Sequence, residues 1–116
     1  MGANSQRRVV VTGLGVISPV GVGTEETWKA IIEGKSGIGP ITRFDATDFP
    51  TKIAGEVKGF KAEDFMPRKE ARRMDLFIQY AVAAAQMALD DANYKISSDE
   101  ANRVGVYTGC GLGGLL

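Results

Sequence analysis

The chain has 116 residues, 44% of them hydrophobic and 24% charged, the balance of an ordinary soluble domain. Its 14 basic and 14 acidic side chains cancel, and it contains one cysteine and no histidine. These counts argue against a global field for nucleic acid or an anionic membrane, and they exclude an internal disulfide, a cysteine–histidine metal set and any imidazole base within the chain.

Residues 1–6 read as a flexible leader and residues 7–116 as one unit. Arg7 and Arg8 before an apolar stretch imitate the start of a signal peptide. Thr12, Ser18, Pro19 and three glycines interrupt that stretch, however, and no clear cleavage site follows. No segment is long and apolar enough to span a bilayer, so a cytoplasmic protein is expected.

Residues 7–13, "RRVVVTG", form a β-branched run bounded by glycine. The run predicts a strand buried on both faces, as in a parallel sheet between helices. A Gly/Pro-punctuated loop follows. Thr24 is then the expected N-cap of a helix, with Glu25 and Glu26 in the first turn, where the helix dipole favours acids. Trp28, Ile31 and Ile32 supply its apolar stripe, and Gly34 its C′ stop.

Residues 35–51, with Gly37, Gly39, Pro40 and Pro50, read as a long irregular connection. "TKIAGEVKGF" predicts a short strand with Ile53, Gly55 and Val57 on one face. Pro67 suits a first helical position, and from there Arg68, Lys69, Arg72 and Arg73 spread over one broad face.

Asp75 is the expected cap of a second helix over residues 76–94. Asp75, Gln79, Gln86 and Asp90 fall in a polar stripe only ~60° wide, and nearly everything else on that helix is apolar or alanine. Such a helix must be covered on most sides, by more chain or by a second subunit. Alanines at 81, 83, 84, 85 and 88 permit close approach of its neighbours. After a turn region, residues 104–109, "VGVYTG", predict a second buried strand. The order of elements gives an α/β class with parallel strands.

Three motifs carry candidate chemistry. Gly13-x-Gly15-x-x-Ser18 follows a predicted strand as a dinucleotide-binding turn would. It has serine in place of the third glycine, Pro19 comes next, and the helix starts only near Thr24. Glycines that permit a tight turn are the better reading. Cys110 lies among glycines with no histidine or cation beside it, and reads as a small apolar side chain at a strand end, not as a nucleophile. The basic face of Arg68, Lys69, Arg72 and Arg73 could dock an acidic partner. Glu63, Asp64 and Glu70 partly neutralise it, and no aromatic residues interleave as single-stranded nucleic acid would require.

The blocks "RRVVVTGLGVISPVG", "TWKAIIEGKSGIGPITRFD", "KIAGEVKGF", "RKEARRMDLFIQYAVAAAQMAL" and "RVGVYTGCGLGG", in this order and spacing, resemble the N-terminal portion of the β-ketoacyl-[acyl-carrier-protein] synthase II family. The likeness runs over nearly the whole chain but covers only about the first quarter of such an enzyme. It implies part of a thiolase-like fold, α-β-α-β-α in layers and incomplete in this chain. It also implies a homodimeric acyltransferase of bacterial fatty-acid biosynthesis. In that family an acyl group passes from acyl carrier protein to a cysteine, and malonyl-loaded carrier protein then condenses with it as CO2 leaves.

The family's catalytic cysteine, two histidines and lysine have no counterpart among the matched blocks, so the expected catalytic set here is none, with no cofactor and no metal. The resemblance places Leu112 in the wall of the acyl pocket. It places Lys69, Arg72 and Arg73, with Arg68 adjacent, on the surface that meets acyl carrier protein. The 116-residue chain alone is expected to be inactive. A non-catalytic partner subunit or a carrier-protein-binding module is the alternative, and an NAD-binding domain the weakest reading. Leu115 and Leu116 depart from the family's usual continuation.

Overall fold

A computed structural model describes residues 7–114. The leader expected at residues 1–6, and Leu115 and Leu116, lie outside the described residues. Strands β1 (Ile17–Ser18) and β2 (Gly21–Val22) form a tight antiparallel hairpin, with Ile17 opposite Val22 and Ser18 opposite Gly21. Helix α1 spans Thr24–Ile32. Strands β3 (Ile38–Pro40) and β4 (Ile53–Gly55) pair antiparallel across the long connection, with Gly39 opposite Ala54. A 3₁₀ turn at Ala62–Asp64 leads to the short helix α2 (Arg68–Ala71), then to the long helix α3 (Leu76–Asp91) and a 3₁₀ turn at Ala101–Arg103.

Both long helices end as their sequences dictate. At α1, the Gly34 amide donates to the Ile31 carbonyl and the Lys35 amide to that of Ala30, with Gly34 at φ 68°. This is a Schellman stop, and it needs the left-handed residue that glycine supplies without a Cβ clash. At α3, Asn93 takes the same role at φ 47°: its amide reaches the Asp90 carbonyl, and the Tyr94 amide reaches that of Leu89. The helix therefore stops at Asp91, short of the expected residue 94. Asp75 does occupy the N-cap of α3.

Two other cap expectations are corrected. Gly23, not Thr24, is the N-cap of α1, and the Thr24 hydroxyl donates instead to the Leu14 carbonyl at 3.2 Å. Pro67 is the N-cap of α2 and not its first helical residue, its ψ of 137° holding it extended. The acid expected in the first turn of α1 is used: the Glu26 carboxylate accepts the Val22 amide at 2.9 Å and so closes the hairpin onto the helix. Beneath it, buried Thr27 donates to the Gly21 carbonyl at 3.2 Å and lies 3.0 Å from the Ser18 hydroxyl.

The two buried strands expected at residues 7–13 and 104–109 are not formed. Residues 7–16 and 104–110 run without helix or strand pairing, and Val9 and Tyr107 are 94% and 98% exposed. A ladder needs a partner edge, and among the described residues neither segment meets one, so neither extended run gains ladder hydrogen bonds. No parallel pairing occurs among the described residues either; both sheets are antiparallel and two-stranded.

The apolar stripe of α1 also faces outward. Trp28, Ile31 and Ile32 are exposed, while Thr27 and Ala30 are the buried positions. On β4, Ile53 is likewise exposed and Ala54 turns inward.

What does pack is small. Among the described residues, Ala30, Met66, Ala71 and Ala83 are the buried apolar ones, and no large side chain is fully buried. The glycines of residues 13–15 lie directly against the backbone of α3. A Cβ on Gly13 would run into the Ala88 carbonyl and stand 2.8 Å from the Ala92 nitrogen. One on Gly15 would run into the Ala84 carbonyl. The Leu14 amide between them donates to the Asp91 carboxylate at 2.8 Å. The alanines of α3 thus permit the close approach their size predicted, and the glycine pair is used for helix contact.

The radius of gyration is 18.3 Å, against about 13 Å for a compact chain of this length. The accessible surface is 10010 Å², against roughly 6,100 Å² for a compact monomer of this mass. Large apolar side chains, among them Val9, Val11, Val106 and Tyr107, lie outside.

Candidate functional site

Helix α2 is held on α3 by one side chain. Gln79 donates through Nε2 to the carbonyls of Ala71 (3.0 Å), the last residue of α2, and Met74 (2.9 Å), in the link that follows it, so the end of α2 is tied to the neighbouring helix. Ala71 is buried beneath this contact. Phe60 fixes the opposite wall. Its ring stacks on Phe65 at a centroid distance of 5.8 Å and meets Tyr80 edge-on at 4.9 Å. Such aromatic pairs add about 0.5–1.5 kcal/mol each beyond simple burial.

Between these walls lies an open cleft of about 410 Å³, lined by Phe60, Lys61, Ala62, Glu63, Arg68, Ala71, Arg72, Leu76 and Gln79. The four basic residues singled out in the sequence are all exposed, as expected, but they divide. Arg68 and Arg72 line this cleft; Lys69 and Arg73 do not. Arg68 stands 3.9 Å from Glu63 across solvent, a pair of little energetic weight. Among the described residues, Lys69, Arg72 and Arg73 make no ion pair.

Lys61 joins Arg68 and Arg72 on the cleft. Sequence periodicity could not find it, because it precedes the helix and the 3₁₀ turn at Ala62–Asp64 brings it back. The only signal available was a lysine seven positions before Arg68, next to an aromatic residue.

Leu112 is 82% exposed and lines a second, smaller cleft of about 290 Å³ with Arg43, Asp75, Leu76, Phe77, Gly113 and Gly114. Leu76 therefore borders both clefts. Arg43 is positioned from behind. The Glu56 carboxylate accepts the amides of Thr42 (3.0 Å) and Arg43 (3.3 Å) and the Thr42 hydroxyl (2.6 Å). Those bonds, the Thr42 hydroxyl first, hold the Glu56 carboxyl below its ordinary pKa. Arg43 then donates through Nη2 to the Tyr80 hydroxyl at 3.1 Å.

Cys110 is exposed, not buried at a strand end as expected, because residues 104–110 have no sheet to enter. It borders an apolar groove of about 380 Å³ with Phe77, Ile78, Ala81, Val82, Ala85, Val106 and Thr108. No group of three or more potential metal ligands gathers among the described residues. No described helix is long and apolar enough to cross a membrane.

This arrangement has a cationic cleft with aromatic support and an apolar wall beside it, and no assembled nucleophile and base. Comparison with known proteins identifies its setting. The family model "Beta-ketoacyl synthase, N-terminal domain" matches residues 6–115. The chain is 56% identical over 111 residues to 3-oxoacyl-[acyl-carrier-protein] synthase 2 of Vibrio harveyi, and 51% identical over 110 residues to the protein of the same name from Synechocystis. It covers 27% and 26% of those proteins, so it spans about a quarter of the length of the relatives it matches. Among solved structures, "The ishigamide ketosynthase/chain length factor" superposes with a TM-score of 0.68 at 45% identity, over 78% of this chain and 23% of that one.

Proposed function

The chain belongs to the β-ketoacyl synthase N-terminal domain family and holds part of its thiolase-like α/β fold, and from that premise we propose that it is the carrier-protein-docking and acyl-pocket portion of a fatty-acid-elongating β-ketoacyl-[acyl-carrier-protein] synthase. In this reading Lys69, Arg72 and Arg73, with Arg68, meet the acidic acyl carrier protein, and Leu112 forms part of the wall against which the acyl chain lies. The complete enzyme works as a cytoplasmic homodimer and transfers the acyl group in a decarboxylating condensation. The imidazoles for that reaction come from outside these residues, since the chain has no histidine, and in this reading the reactive thiolate does too.

The observation that carries the docking reading is electrostatic. Lys69, Arg72 and Arg73 are exposed on one short segment, and no described carboxylate pairs with them. Unpaired surface cations steer an acidic partner and are screened by salt. The exposure of Val9, Val11, Val106 and Tyr107 supports the wider reading that further protein covers this chain in the assembled enzyme.

Incubation of the chain with acyl-loaded and malonyl-loaded carrier protein tests the division of labour. No condensation product is expected by mass spectrometry, and turnover would overturn it. A second reading, a non-catalytic partner subunit, is favoured by the likeness to the ishigamide ketosynthase/chain length factor. A cysteine nucleophile acylated in the intact protein would exclude it.

A further inference from the structure

A cavity of about 480 Å³ lies where the start of the long β3–β4 connection and the end of β4 meet Tyr80 of α3. Of its lining residues only Arg43 is shared with the clefts described above. Its size is one that small molecules occupy. Its sides are apolar, formed by Ile41, Phe44, Ala54 and Val57. Its charged and hydroxyl groups are three, Arg43, Glu56 and Tyr80.

These groups are held in place. The Ile41 amide donates to the Lys52 carbonyl at 3.0 Å and carries the β3–β4 pairing one step further. Phe44 meets Phe49 edge-on at a centroid distance of 5.3 Å. Glu56 is the only carboxylate among the lining residues, and both its oxygens are engaged, one by the Thr42 and Arg43 amides and the other by the Thr42 hydroxyl. Arg43 spends one N–H on the Tyr80 hydroxyl, and no described carboxylate stands within ion-pair distance of its guanidinium. A guanidinium has five N–H donors, and a phenol that accepts a hydrogen bond still has its own proton to give. The cavity therefore offers unspent donors and a positive charge beside hydrocarbon walls.

We infer that this cavity binds a small carboxylate with an apolar body: the carboxylate is taken by the free N–H groups of Arg43 and the Tyr80 O–H, and the body lies against Ile41, Phe44 and Val57. The planar guanidinium fork matches the two oxygens of a carboxylate, and the charge makes those bonds strong. Donors already fixed by the fold lose little freedom when the ligand arrives. None of the four basic residues of the docking face lines this cavity, so the two readings stand or fall separately.

The test is a titration of the intact protein carrying this sequence, methyl-labelled at isoleucine, leucine and valine and followed by NMR. Benzoate is the probe, and benzyl alcohol its neutral counterpart. Benzoate is expected to shift the Ile41 and Val57 methyls saturably and to leave Leu112 unmoved, which separates this cavity from the recess that Arg43 also borders. Benzyl alcohol is expected to bind at least tenfold more weakly. Arg43 is exposed, so Arg43→Gln leaves packing intact, as circular dichroism will verify, and is expected to weaken benzoate binding by about tenfold or more. Tyr80→Phe keeps the ring against Phe60, loses the O–H, and is expected to weaken it severalfold. The absence of saturable shifts at Ile41 and Val57, shifts confined to Leu112, equal affinity for benzyl alcohol, or full affinity in Arg43→Gln would each overturn the assignment.

Discussion

Gly15 lies against the carbonyl of Ala84 with no room for a Cβ between them, and Gly13 meets Ala88 in the same way. The match is one of periods: two residues of extended chain advance about 6.6 Å, and four residues of helix about 6 Å, so alternate glycines meet successive turns. Because the obstruction is backbone, it cannot swing aside. Gly15→Ala is expected to destabilise the intact synthase by about 3 kcal/mol, at the upper end of overpacking costs, read as a lowered thermal midpoint. A midpoint unchanged from the parent would mean that residues 13–15 do not pack on α3.

Gly34 tests a different cost. A Cβ there meets nothing within 4 Å, but the residue sits at φ 68°. Gly34→Ala should cost about 1 kcal/mol from backbone strain alone, less than Gly15→Ala. Gly39 has open space and no such φ, so Gly39→Ala should be neutral or slightly stabilising. Denaturant midpoints that ranked the three otherwise would contradict these local geometries.

Charge reversal of Lys69 and Arg72 together is expected to weaken carrier-protein binding by more than tenfold at low salt, and to flatten the dependence of affinity on ionic strength. Calorimetric titration at two salt concentrations reads both. Undiminished affinity would remove α2 from the interface.

The loop that carries Arg43 should respond to acid. The Thr42 and Arg43 hydrogen bonds hold the Glu56 carboxyl below its ordinary pKa, so they stabilise the loop at neutral pH. That contribution is lost as pH falls below the usual carboxylate range, about 4, and through the depressed value. Asp45, bonded to the Thr47 hydroxyl and amide, behaves alike. Amide exchange at Thr42 and Arg43 is expected to quicken relative to its intrinsic rate below that range, and Glu56→Gln to abolish the pH dependence. A flat profile in the parent would show that the carboxylate does not hold the loop.

Local chemistry was the legible part of this chain. The Gly34 stop and the small-residue contacts of α3 follow from conformational preferences that act over a few residues, and each is in place; Asp75 stands at the N-cap position of α3 without a side-chain cap hydrogen bond. The valine runs predict strands by propensity, and no strand forms there among the described residues, because a strand exists only beside another strand. The apolar stripe of Trp28, Ile31 and Ile32 likewise announces a face that wants covering, without providing the cover. At the site, the sequence gathered Arg68, Lys69, Arg72 and Arg73 because helical spacing joins them. It could not join Lys61, whose approach depends on a turn, nor separate Arg68 and Arg72 from Lys69 and Arg73, which depends on where Phe60 and Leu76 stand.

Leu76 is a party wall, one side chain thick, between the cationic cleft and the recess that holds Leu112. On the proposed reading, a substitution at Leu76 is expected to alter carrier-protein affinity and acyl-chain preference together.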